Sequence, residues 1–146
     1  MQPLEYRPCH QGHLRLIVTP DGMEKDKLAY MSSDMATVFN DNFCMSAWRD
    51  NRCIGAAGLV QLHPHYAMAW ALLSARVGHR DLIAIVRKIR YVLDTTSYRR
   101  VEMRVRYDYE QGHQFARLLG FKVEADKLKF AGYDGGDETL YARIKG

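Results

Sequence analysis

Residues 66–107 constrain the fold more than any other stretch. Tyr66 to Leu73 alternates large with small side chains: Tyr66, Met68, Trp70 and Leu72 point one way, Ala67, Ala69 and Ala71 the other. Arg100 to Tyr107 alternates apolar with polar, setting Val101, Met103, Val105 and Tyr107 against Arg100, Glu102, Arg104 and Arg106. Between these two period-two segments, Leu82, Ile85, Val86, Ile89 and Val92 follow the helical repeat. Arg87, Lys88 and Arg90 mark the wet side of that helix. Strand, helix, strand in succession requires a right-handed crossover and a parallel pair. The first strand is apolar on both faces and is expected to be covered on both, as a central strand is. The second has one polar face.

The flanks add antiparallel pairs. Leu14, Ile17 and Val18 have helical spacing, and Thr19-Pro20 stops that segment. Asp21-Gly22-Met23-Glu24 reads as a capping box ahead of a helix with a Leu28, Met31, Met35 stripe. Residues 36–43 fit neither period. Met45–Arg49 and Arg52–Ile54 flank Asp50-Asn51, a pair that tolerates the positive φ of a tight hairpin. Cys53 to Val60 carries Gly55, Ala56, Ala57 and Gly58, so a helix or a ligand packs closely there. Asp108-Tyr109-Glu110-Gln111 reads as a second capping box, opening a helix with Phe115, Leu118 and Leu119 inward. Gly120 is expected to end it as a left-handed cap. Strands around 122–130 and 138–144 are joined by an Asp134–Asp137 turn. The expected architecture is α/β: a mixed sheet made of an antiparallel hairpin, a central parallel pair and a terminal hairpin, with helices on both faces.

Composition narrows the function classes. A chain of 146 residues suits a single domain, 1–146, and buries roughly 70% of its unfolded surface. A 47% hydrophobic and 26% charged make-up excludes a disordered tail or a fibre. No apolar run approaches the roughly 18 residues that span a bilayer, and the N-terminus lacks a signal-peptide pattern, so a cytoplasmic protein is expected. Three sparse cysteines, Cys9, Cys44 and Cys53, point to reduced thiols, with Cys44 and Cys53 filling core. His63-Pro64-His65 has no second ligand pair at a useful spacing, so no metal is expected. The net charge of +4 favours an anionic ligand or an acidic partner. The arginines are scattered without an interleaved aromatic platform, which argues against nucleic acid.

Ligands of open α/β sheets bind beyond the carboxyl ends of the strands. Here those ends are Leu73-Ser74 and Tyr107, each followed by a helix whose N-terminal amides and dipole attract anions. The linker Ser74-Ala75-Arg76-Val77-Gly78-His79-Arg80 adds a glycine and two arginines, and arginine's planar fork suits phosphate. An ordinary loop with solvated arginines explains the same residues.

The layout resembles the GNAT acetyltransferase superfamily over nearly the whole chain. In that family a Gln/Arg-x-x-Gly-x-Gly/Ala loop holds the diphosphate of acetyl-CoA. Arg76-Val77-Gly78-His79-Arg80-Asp81 stands in its place, with His79 and Asp81 at the two small positions if Arg76 is the first residue. The resemblance implies acetyl-CoA as cofactor, with backbone groups of Leu72, Leu73 and Ser74 on pantetheine. It puts the diphosphate on Arg76, Val77, Gly78, His79, Arg80 and Asp81, and adds Gly112 and Phe115 on the last helix. The family's Asn-x-x-Ala-x-x-x-Tyr-x-x-x-Gly-Phe signature, anchored on Gly120-Phe121, sets Tyr109 at the Asn, Gly112 at the Ala and Ala116 at the Tyr. That Tyr usually protonates the departing thiolate, and alanine carries no proton to give. Residues 98–146 also resemble small GNAT-like proteins of short-tailed bacteriophages.

Candidates for the acid–base work are Tyr109 at the helix start, His63 and above all His65 before the first strand of the parallel pair, and Glu102 on the polar face of the second. Each has a plain structural alternative: packing for Tyr109, a turn for His63-Pro64-His65, a same-face charge ladder with Arg100 and Arg104 for Glu102. His113 is expected on the surface. Two functions follow from the resemblance. One is acetyl transfer from acetyl-CoA to an amine. The other is a non-catalytic protein of phage origin that binds a host protein, or serves in the virion, through the basic face Arg100–Arg106.

Overall fold

A computed structural model describes residues 2–20, 23–32 and 35–146. The elements in chain order are β1 (Glu5–Pro8), a 3-10 turn (Gln11–Leu16), α1 (Glu24–Tyr30), α2 (Ala36–Asp41), β2 (Phe43–Arg49), β3 (Arg52–His63), β4 (Tyr66–Leu73), α3 (His79–Thr95), β5 (Arg100–Arg106), α4 (Glu110–Leu118), β6 (Lys122–Leu128) and β7 (Glu138–Ile144). The strands form one mixed sheet in the order β1-β2-β3-β4-β5-β7-β6. β4 and β5 are parallel, as the crossover demands, and their register runs from Tyr66↔Arg100 to Ala69↔Met103. Among the described residues no helix is long and apolar enough to cross a membrane.

By its internal contacts the chain divides into two compact units, Met1–Val60 with Ala71–Ile85, and Gln61–Trp70 with Val86–Gly146. In the first, β1, β2 and β3 form an antiparallel meander. The β2–β3 turn is the expected one: Asp50 and Asn51 both have positive φ, 51° and 63°. That geometry matches the twist of the strands it joins. Leu14, Ile17, Phe39, Trp48, Cys53 and Leu72 are buried here. Gly55 is closely packed, since a Cβ would lie 3.0 Å from Leu73 Cδ2 and 3.3 Å from the Leu72 carbonyl. At Gly55 the small residue therefore serves close packing against Leu72 and Leu73.

The second unit carries the terminal strands. β7 pairs antiparallel with β5 from Arg100↔Ile144 to Arg106↔Glu138, and β6 lies outside β7. Val101, Met103, Val105, Phe115, Leu119 and Tyr141 are buried. Gly120 has φ 92°, and the Phe121 amide bonds back to the Ala116 carbonyl at 3.1 Å. This is the left-handed helix stop expected of Leu-Gly-Phe.

Several expectations need correction. The segment with Leu14, Ile17 and Val18 is a 3-10 turn ending at Leu16; Ile17 is already extended and Val18 is 53% exposed. A β-strand, Glu5–Pro8, precedes it, and residues 36–41 are helical. Leu28 is 58% exposed, so the proposed α1 stripe does not face a core; Asp26 is the buried residue of α1. The capping role of Asp21-Gly22 lies outside the described residues, while Glu24 accepts from Thr19 Oγ1 at 2.9 Å. β4 is buried on both faces, at Ala67 on one and Leu72 on the other, and its remaining residues are partly exposed. Cys44 is only partly buried, unlike Cys53. Asp108 makes no cap; α4 starts from Tyr109 without a side-chain cap bond.

Candidate functional site

The first unit presents an uncapped helix end. Beyond β4 the chain spends its amides one after another. Ser74 N–H donates to the Ile54 carbonyl (2.8 Å), Ala75 N–H to Val18 (2.7 Å), Arg76 N–H to Ser74 Oγ (3.1 Å) and Val77 N–H to the Ser74 carbonyl (3.3 Å). α3 then starts. Its ladder begins with Leu82 N–H on the Gly78 carbonyl at 2.9 Å. The first-turn amides of a helix have no intrahelical partner. Gly78 has no side chain to cap them, and among the described residues nothing bonds the amides of Gly78, His79, Arg80 and Asp81. A Cβ at Gly78 would meet nothing within 4 Å. Gly78, His79, Arg80 and Arg76 are all exposed.

Asp81 stands in the first turn of α3, where a free carboxylate repels anions. It is not free. Arg49 on β2 grips it with both arms, Nη2 to Oδ1 at 2.7 Å and Nε to Oδ2 at 3.3 Å. This fork holds the Arg49 guanidinium above its usual range. The pair cancels the local negative charge and leaves the cations Arg76 and Arg80 without ion-pair partners among the described residues. The Arg49–Asp81 contact spans 32 residues of sequence and carries no motif, so the sequence could not announce it.

The set Leu72, Leu73 and Ser74 narrows as well. Leu72 is buried with its carbonyl against Gly55, and the Ser74 amide is held by Ile54. Backbone groups alternate sides along a strand, so of the three it is Leu73 whose amide and carbonyl point away from β3.

The second unit holds the acid–base candidates, which the structure does not bring together. His65 lies in the turn before β4: its amide bonds His63 Nδ1 at 3.2 Å, and its carbonyl accepts from Arg99 and Arg100. It marks the amino end of β4, not the carboxyl end where ligands bind. Glu102, on β5, is buried and occupied. It accepts from the Tyr66 hydroxyl and from Arg100 Nε at 2.8 Å, while Arg100 also reaches Glu124. The ion pairs push the Arg100 guanidinium up and hold the Glu124 carboxyl down. The basic face is thus largely neutralised, because Arg106 is paired too, with Asp134 at 2.8 Å.

Tyr109 stands at the start of α4, its ring on Gly112 and its hydroxyl 3.3 Å from Gln111 Oε1. Burial raises its phenol, keeping it protonated at neutral pH. Gly112 is required by contacts: a Cβ there would lie 2.7 Å from both Tyr109 Cδ2 and Val105 Cγ1. Alanine normally gains about 1 kcal/mol over glycine in a helix. Here overpacking of about 1–3 kcal/mol wins. Gly112→Ala is therefore expected to lower the urea midpoint, by the equivalent of up to about 2 kcal/mol in unfolding free energy.

Phe115 and Ala116 are both buried, Ala116 completely. His113, expected on the surface, is half-buried and bonded at both ring nitrogens: Nδ1 to the Tyr141 hydroxyl and Nε2 to the Tyr107 carbonyl, each 2.8 Å. With Nε2–H donating to the carbonyl, the Tyr141 hydroxyl donates to Nδ1. This clamp ties α4 to β7 and to the end of β5. Sequence offered no sign of it, because the partners are 28 and 6 residues away.

No family model matches the chain, and no curated protein matches it. Solved structures do. One is an acetyltransferase of the GNAT family from Streptococcus pneumoniae, 13% identical, with TM-score 0.69 and 98% of this chain and 99% of that one covered. Another, from Salmonella typhimurium, is an acetyltransferase that modifies the N-terminal serine of a ribosomal protein; it is 19% identical, with TM-score 0.66 and coverage of 100% and 97%. A third is a microcin self-immunity acetyltransferase in complex with acetyl-CoA and AMP, 17% identical, with TM-score 0.61 and coverage of 83% and 71%. At these identities the likeness establishes a shared fold, the GNAT fold.

Proposed function

We propose that this chain is an N-acetyltransferase that takes acetyl-CoA and passes its acetyl group to an amine. The carrying observation is the start of α3: four unspent amides, an open Gly78, two unpaired arginines, and an Asp81 already neutralised by Arg49. That combination suits a diphosphate. Leu73 supplies the outward-facing strand amide and carbonyl for pantetheine. A solved structure of the same fold holds acetyl-CoA, which supports the reading.

The reaction asks little of side chains. The amine nitrogen attacks the thioester carbonyl, the C–S bond breaks, and the CoA thiolate takes a proton. Holding two reactants in line supplies most of the rate. Ala116 carries no acid; of the acid–base candidates, Tyr109 is the one whose phenol is kept protonated at neutral pH by burial. Glu102 and His65 are weaker candidates for the base, being committed to an ion pair and a turn.

Titration calorimetry with acetyl-CoA tests the core of this reading. Binding with sub-millimolar affinity that weakens with added salt is expected. Absence of heat at millimolar ligand overturns it. In that event the second reading stands, a non-catalytic protein of phage origin acting on a host protein; complete burial of Ala116 favours it.

A further inference from the structure

We propose that Cys9 and Cys44 close a reversible disulfide that fastens the edge strand β1 to β2. The β1–β2 register runs from Glu5↔Trp48 to Pro8↔Met45, and one further step sets Cys9 opposite Cys44. The Cys9 amide donates to the Cys44 carbonyl at 3.0 Å. Residues opposed at such a position have Cα atoms about 5.5 Å apart and side chains on one face. A disulfide needs about 4.4–6.8 Å. Both residues are partly exposed, so an oxidant can reach them.

The two thiols also differ in the way an exchange reaction needs. The Cys9 Sγ donates to the His10 carbonyl at 3.4 Å, and the neighbouring sulfurs act on each other so that the Cys9 thiol is lowered and that of Cys44 raised. Cys9 is therefore the attacking group. Cys53 is a bystander: it is buried, donates to the Gly55 carbonyl at 3.6 Å, and burial pushes it up to about 11.

The oxidant class is a low-molecular-weight disulfide, glutathione disulfide in the test. Cys9 thiolate attacks one of its sulfurs, the S–S bond breaks, and one glutathione leaves as thiolate. Cys44 then gives its proton to solvent and attacks the Cys9 sulfur, expelling the second glutathione. Two protein thiols are oxidised by two electrons, and one glutathione disulfide becomes two thiols. The closed loop runs from residue 9 to residue 44, a span that contains α1 and α2.

Purified protein is treated with glutathione disulfide, and free thiols, intact mass and thermal midpoint are read. Wild type and Cys53→Ser are expected to lose two thiols and two hydrogen atoms in mass, with Cys9 linked to Cys44 in the peptide map. The midpoint should rise by about 10 °C and return with reductant. Cys44→Ser should instead retain one glutathione on Cys9, while Cys9→Ser reacts more slowly and forms no internal bridge. Three free thiols in oxidised wild type, a bridge to Cys53, or only links between chains overturns the proposal. None of these readouts depends on acetyl-CoA.

Discussion

Gly78→Glu is expected to weaken acetyl-CoA binding at least about 100-fold while leaving the fold intact. The position tolerates a side chain: no atom lies within 4 Å of the Cβ it would acquire, and its φ is not positive. A carboxylate at a helix N-terminus interacts favourably with the dipole, by about 0.3–1 kcal/mol. Unfolding free energy should therefore stay within about 1 kcal/mol of wild type. For a diphosphate on the same amides the sign reverses. Two like charges about 4 Å apart repel by about 4 kcal/mol at an effective dielectric of 20. Allowing for solvent screening, affinity for acetyl-CoA should fall at least about 100-fold, or about 2.7 kcal/mol. Chemical denaturation and calorimetry on the same preparation separate the two effects. Unchanged affinity would remove the diphosphate from the α3 tip. Lost folding would show that Gly78 is structural.

Ala116→Tyr places at position 116 the tyrosine of the signature that the sequence resembles, and is expected to cost the protein rather than help it. Ala116 has no exposed surface, and it lies on the face of α4 that holds Phe115 and Leu119 in the core. Its carbonyl also closes the helix stop at Gly120-Phe121, so α4 has little freedom to lift. A phenol ring at such a position overpacks the core, costing about 3 kcal/mol or more. That is a large share of the roughly 5–15 kcal/mol that stabilises a domain. Urea unfolding should show the midpoint collapse, with no gain in acetyl transfer. A variant as stable as wild type would mean that the 116 face is open.

The two substitutions probe different kinds of knowledge. Gly78 could be chosen from sequence, because a glycine between a strand and a helix with neighbouring arginines is a local pattern. That its amides are unspent could not. Only the structure shows that the amides of residues 74–77 are consumed by Ile54, Val18 and Ser74, leaving those from Gly78 to Asp81. The catalytic candidates show the opposite weakness. Tyr109, His65 and Glu102 were chosen by residue type, and type does not reveal that Glu102 is gripped by Arg100 and Tyr66.

What the amino-acid order determined was what neighbouring residues settle among themselves. The hairpin at Asp50-Asn51, the crossover through α3, the alternation of β5 and the glycine stop at Gly120 each follow from backbone preference or periodicity within a few residues. What the tertiary structure alone decided was which distant groups meet. Arg49 finds Asp81, His113 finds Tyr141, and Cys9 faces Cys44 across the β1–β2 register. The physical reason is that strand register and helix docking are chosen by the packing of the whole core. A shift of one residue in β2 would turn Arg49 and Cys44 to the opposite face, and one in β7 would do the same to Tyr141.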